Sequence, residues 1–123
     1  MLLRSKDRKA LMDIFSSVSA RFEVWAYGSR VSGRAHEGSD LDLVVRSNNG
    51  QKLPSAVFTE LKEKIRQSNI PILVELFDWA KLPDSFRKNI EANHEPLFSN
   101  LTMGVNEPPV VYTRKEEGES EEE

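Results

Sequence analysis

Residues 40–45 read Asp-Leu-Asp-Leu-Val-Val, two acids that lead straight into an unbroken apolar run. Leu41, Leu43, Val44 and Val45 are too apolar to be left in water, so the run reads as a strand buried on at least one face. Side chains alternate along a strand, which puts Asp40 and Asp42 on one side of it, about 7 Å apart along the backbone. Unpaired charge beside a buried strand is costly, so the pair invites a cation. Upstream, Glu23-Val-Trp-Ala-Tyr27 is a β-prone run that stops at Gly28, a residue suited to a tight turn. Ser29 follows it, and residues 30–34 suit a short helical turn with Gly33 inside or ending it.

Apolar residues elsewhere recur at helical spacing. Leu11, Ile14, Phe15 and Val18 mark a helix over residues 6–19, and Val57, Phe58, Leu61 and Ile65 mark one from Pro54 to Gln67. Phe86 and Ile90 share one face of a helix from Pro83 to Asn93, and residues 72–78 (Ile-Leu-Val-Glu-Leu-Phe-Asp) read as a further strand. The order is α-β-(short α)-β-α-β-α, an α/β or α+β fold in which helices pack on a small mixed sheet. A chain of 123 residues with 38% apolar content holds one such core, expected over residues 1–98. Residues 99–123 form an extension with no period beyond Val110-Val111-Tyr112, and its glutamate-rich end has too little apolar content to order itself.

Charge narrows the partners. Residues 114–123 carry six acids and two bases, which leaves residues 1–113 at a net +1. A nearly neutral body argues against a general nucleic-acid surface. The sequence has no cysteine, which excludes disulfides and thiolate metal sites. Neither a signal-peptide run nor a stretch of membrane-spanning length is visible, so a cytoplasmic protein without a membrane partner is expected.

Hard oxygen ligands without nearby histidine or cysteine suit Mg²⁺, which takes its remaining ligands from waters and phosphates. Gly28 and Ser29 lie at a strand end that opens into a helical turn, so backbone N–H groups and the Ser29 hydroxyl are placed to hold β and γ phosphates. A third acid completes a two-metal arrangement with ions ~4 Å apart. Glu75, in the middle of the 72–78 strand, is the choice. Asp78 is the other acid of that strand, and alternation puts it on the opposite face. Arg30, and less so Arg34, reach toward triphosphate oxygens in this reading. An exposed arginine on a short helix is more often solvated.

The segment from Trp25 to Val45, with Gly28-Ser29, ten intervening residues and then Asp40-Leu-Asp42, resembles the signature of the DNA polymerase beta superfamily of nucleotidyltransferases, in particular its minimal, single-domain members. Pro71 to Ala80 and the Phe86/Ile90 helix are similar as well, so the resemblance spans roughly residues 10–98. It implies a polymerase-beta-like fold in which Asp40, Asp42 and Glu75 hold two Mg²⁺ ions and carry catalysis, with Gly28, Ser29 and Arg30 binding the nucleotide, ATP. The family usually has aspartate at the third acidic position, whereas this chain has Glu75, one methylene longer.

Minimal members typically occur beside a HEPN-domain RNase toxin and act as its antitoxin. The resemblance therefore implies a hetero-oligomer with such a toxin, and transfer of AMP to one of its tyrosine hydroxyls. The longer third acid keeps open a second reading, a binding antitoxin that neutralises by occlusion without turnover. A small-molecule nucleotidyltransferase of the antibiotic-modifying kind is disfavoured, because no acceptor-binding domain is visible. Simpler roles suffice for other residues: His36 as a loop residue, His94 as a helix-end cation, and Trp25, Tyr27 and Trp79 as core or interface aromatics. The acidic tail is most simply a solubilising end.

Overall fold

The computed structural model describes residues 3–33, 40–101 and 110–111. Its elements run α1 (Ser5–Ser17), β1 (Phe22–Tyr27), α2 (Ser29–Ser32), β2 (Leu41–Ser47), α3 (Ser55–Arg66), β3 (Val74–Asp78), α4 (Asp84–Ala92), β4 (His94–Ser99) and β5 (Val110–Val111). Short 3₁₀ turns at Asn48–Gly50 and Trp79–Lys81 close β2 and β3. The strands form a sheet in the order β3-β2-β1-β4-β5. β2 and β3 are parallel, a pairing that requires a crossover, and α3 supplies it. The remaining pairs are antiparallel, so the sheet is mixed and the fold is the expected α/β type. Predicted helices and strands match the observed ones to within about two residues, the ordinary scatter of element ends.

The apolar run of β2 is explained by burial on both faces. Leu41, Leu43 and Val45 join Phe22, Val24 and Ala26 of β1 against Leu11 and Phe15 of α1 and Leu61 of α3. Phe15, Phe22 and Phe98 interlock there, with ring centroids 5.5 to 6.4 Å apart. Each large side chain buried in this way contributes roughly 1.5–3 kcal/mol, so this face carries the bulk of the stability. Val44 points the other way, into a smaller cluster with Tyr27, Trp79 and Ile90 that seats α4. Further along that second face, the Arg46 guanidinium pairs with Glu23 and lies over the Trp25 ring at 3.9 Å, and His94 stacks on Trp25 at 3.8 Å. That stack covers one end of the face, while the other end, around Asp42, opens into a cleft.

The strand at 94–99 departs from the expectation, which left these residues outside the sheet. Pro96 hides it in the sequence, because proline cannot donate to a ladder. The structure accommodates Pro96 opposite Trp25, where the β1–β4 register shifts by a bulge. His94 does sit at a helix end, its Nδ1 3.0 Å from the Ile90 carbonyl and 3.1 Å from that of Glu91. It is also the first residue of β4. The sheet continues past residue 98. Asn100 accepts from the Phe22 amide at 2.6 Å and donates to the Ala20 carbonyl at 2.7 Å, fastening the end of β4 to the start of β1.

Asp78 has a structural task. Its carboxylate is buried and accepts from the amides of Leu53 (3.1 Å) and Ala80 (3.1 Å), tying the approach to α3 to the end of β3. Substitution by alanine strands the buried Leu53 amide, a loss of about 1–3 kcal/mol. Asp78→Ala should therefore lower the urea midpoint of unfolding by a corresponding amount; an unchanged midpoint would contradict this assignment.

Candidate active site

The site is built by register. Asp42 lies opposite Tyr27 on β1 and beside Glu75 on β3. Residues in register on neighbouring strands share a face, so Tyr27, Asp42 and Glu75 form a row across the sheet. Asp40 stands just before β2, exposed, and Asp42 is partly buried. Strand alternation thus brings the predicted acids together and sends Asp78 to the opposite face.

Gly28 ends β1 with φ +86° and ψ -159°, a combination that side-chain-bearing residues rarely adopt. A Cβ there would lie 2.5 Å from Asp42 Oδ2. The Asp42 carboxylate therefore rests directly on the bare Gly28 backbone. Immediately afterwards α2 begins, and the Gly28 carbonyl accepts from the amides of Val31 and Ser32. Ser29 and Arg30 are the first two residues of this short helix. The left-handed Gly33 caps the other end, its N–H bonded to the Ser29 carbonyl.

Electrostatically the row is under tension. Burial, then Glu75, then Asp40 push the Asp42 carboxyl above the ordinary aspartate range. Burial first, then Asp42 and Glu75, also raise the Tyr27 phenol, which stays protonated and able to donate. Among the described residues no lysine or arginine engages Asp40, Asp42 or Glu75. Among the described residues no three acidic or histidine side chains lie at the spacing of a metal site. The backbone register places Asp42 and Glu75 side by side.

A cleft of about 430 Å³ opens in front of Tyr27 and Asp42. Gly28, Ser29 and Ser32 line one part, Asp42 and Tyr27 its floor, and Phe86, Asn89, Ile90 and Asn93 the α4 side. Gly28, Ser29 and Asp42 line this cleft together, while Glu75 and Asp40 lie close to Asp42 without lining it. Arg30 is 5% exposed and does not line the cleft either. This is neither the solvated side chain of an ordinary short helix nor a residue on the cleft wall. Arg34 and His36 lie outside the described residues.

Tyr27 is buried, as expected of a core aromatic, yet it also faces the acids. The α4 contribution was missed altogether. Its signal was present, since residues 86, 89, 90 and 93 follow the i, i+3, i+4, i+7 spacing of one helical face, with two asparagines interrupting the apolar stripe.

A glycine-serine turn seated on an aspartate, with further acids alongside, is the arrangement of a nucleotidyltransferase. The chain belongs to the Polymerase beta, Nucleotidyltransferase family, which matches residues 9–102. It is a minimal nucleotidyltransferase, 35% identical over 88 residues to the probable protein adenylyltransferase MntA of Haemophilus influenzae, a match that covers 72% of this chain and 75% of the relative. The fold also recurs, at 18% identity and a TM-score of 0.59, in a crystal structure of a toxin-antitoxin with AMP-PNP, covering 73% of this chain and 71% of that one.

Two outcomes follow from this geometry. Gly28→Ala forces a Cβ onto the Asp42 carboxylate and a strained backbone, at a cost of about 1–3 kcal/mol; nucleotide binding measured by calorimetry should be lost with it. Wild-type affinity would show that the contact does not matter. Asp42 gives a pH signature. Because its pKa is raised on folding, its contribution to stability is fully present below the ordinary value of 3.8 and is lost as pH rises through the folded value. Asp42→Asn should accordingly raise the melting temperature of metal-free protein at neutral pH, with the gain vanishing below pH 3.8. A variant that melts below wild type at neutral pH would refute the repulsion.

Proposed function

We propose that this chain transfers AMP from ATP to a hydroxyl, that of a tyrosine, on a partner HEPN-type RNase toxin in the cytoplasm, and so acts as its antitoxin. The observation that carries the reading is the register of Asp42 with Glu75 beneath the Gly28 turn. Its support from relatives is that one is a probable protein adenylyltransferase and that a structural neighbour is a toxin-antitoxin with AMP-PNP.

In this reading the amides of the Gly28-Ser29 turn and the Ser29 hydroxyl hold the β and γ phosphates. The acceptor oxygen attacks the α-phosphorus, the bond from that phosphorus to the bridging oxygen breaks, and pyrophosphate leaves. Glu75 receives or relays the acceptor's proton, and the protonated Tyr27 donates toward the carboxylates and limits their repulsion. Asp40, Asp42 and Glu75 fit Mg²⁺ by donor type, being hard oxygens whose mutual repulsion a dication relieves. Two such ions, when bound, neutralise the charge that develops on the phosphate oxygens. Everything else required of the protein is positioning.

A second reading is favoured by one residue. Glu75 stands where the family usually has aspartate, and a longer acid displaces the proton acceptor by one methylene. The alternative is an antitoxin that binds nucleotide and toxin and neutralises by occlusion. The two separate in one experiment, in which the protein is incubated with α-labelled ATP, Mg²⁺ and the HEPN-domain partner. Label should appear on the partner, and Asp40→Ala and Asp42→Ala should each reduce transfer by about a hundredfold or more. If both variants still protect cells from the toxin while wild type never transfers label, occlusion is the function.

A further inference from the structure

The cleft has two chemically different parts. The Gly28 turn and Asp42 suit phosphates and cations, whereas the α4 side, formed by Phe86, Asn89, Ile90 and Asn93, carries no charge. Phe86 is 37% exposed, one of two large apolar side chains left open among the described residues. Its ring is held edge-on by Tyr27, with centroids 5.9 Å apart and an interplanar angle of 87°. Asn89 and Asn93 are exposed, and among the described residues neither side chain has a hydrogen-bond partner. An aromatic ring beside two uncommitted amides suits a flat, uncharged heterocycle with hydrogen-bonding edges, and it is unsuited to more phosphate.

We propose that the α4 wall is the nucleoside pocket of this site, with Phe86 stacking the base and Asn89 and Asn93 selecting adenine. The assignment rests on the nucleotide-transfer reading above and adds the residues that choose the nucleotide. An asparagine amide pairs bidentately with the N6 donor and N7 acceptor of adenine. Guanine presents two acceptors at the same edge, so the amide oxygen would face an acceptor and lose its bond. Every base has a stacking face, so Phe86 adds affinity without discrimination.

The test is titration of the full chain, with Mg²⁺, by non-hydrolysable analogues of ATP and GTP and by inorganic tripolyphosphate. Wild type should bind the ATP analogue about tenfold or more tighter than the GTP analogue, and Asn89→Ala/Asn93→Ala should erase that preference. Phe86→Ala should weaken both nucleotides by about tenfold, and Phe86→Trp should retain them. Tripolyphosphate should bind all of these variants as it binds wild type. Because the asparagines are exposed, the double variant should melt as wild type does, so a change in its preference is not a folding effect. Wild-type affinities for both analogues in the double variant and in Phe86→Ala would overturn the pocket assignment while leaving the phosphate site intact. Failure of wild type to bind tripolyphosphate, with no response to Asp42→Asn, would overturn the nucleotide-transfer reading and this inference with it.

Discussion

The contact between the Asp42 carboxylate and the bare backbone of Gly28 joins the two halves of the site. It requires a residue without a side chain at the end of β1, a backbone angle of +86°, and an aspartate on β2 opposite the preceding Tyr27. None of these is a stabilising choice. The carboxylate is partly buried among like charges, and glycine surrenders more backbone entropy on folding than any other residue. The rest of the sheet supplies the stability that holds them in place. Leu41, Leu43 and Val45 fix the position of β2 because a slip of one residue would turn all three away from α1 and α3 and Asp42 into that core.

The sheet divides its two faces between stability and chemistry. Toward α1 and α3 it buries the Phe15, Phe22 and Phe98 cluster and most of its apolar area. Toward α4 it is only partly covered, by Ile90 and Trp79 near the centre and by the Arg46–Trp25–His94 stack at one end. The remaining end is where β1 and β2 place the turn and the acids. A short helix with Phe86 and Asn89 beside that opening gives the cleft a wall without closing it. Arg46 illustrates the same economy: its charge is set against Glu23 and over the indole rings of Trp25 and Trp79, on the part of the face that has no cleft.

Much of this was legible in the sequence because strong local signals agreed with the fold. Periodic apolar residues located α1, α3 and α4, and alternation alone separated Glu75 from Asp78. The structure bears out that separation, with Glu75 beside Asp42 and Asp78 bound to backbone amides. What was not legible depends on contacts distant in the chain. β4 pairs with β1 across about seventy residues, and its His-Glu-Pro opening contradicts strand propensity, so only the bulge in the folded sheet makes room for it. Tyr27 has an ordinary core role in sequence, and its orientation toward the acids appears only once β1 and β2 are in register. Arg30 fits a phosphate-binding motif by position, and the structure shows it buried and not among the residues that line the cleft. The amides of α4 were readable as a break in an apolar stripe, but nothing in the sequence said which part of the sheet that stripe would face.

The central claim is that Asp40, Asp42 and Glu75 share divalent cations with a triphosphate seated at Gly28 and Ser29. Anomalous diffraction from crystals grown with Mn²⁺ and a non-hydrolysable ATP analogue measures this directly. Manganese peaks ligated by Asp42 and at least one of the other two acids, in contact with phosphate oxygens at the Gly28 turn, are the result predicted. Metal bound elsewhere, or an ordered nucleotide whose phosphates lie away from Ser29 with the carboxylates turned apart, would contradict it.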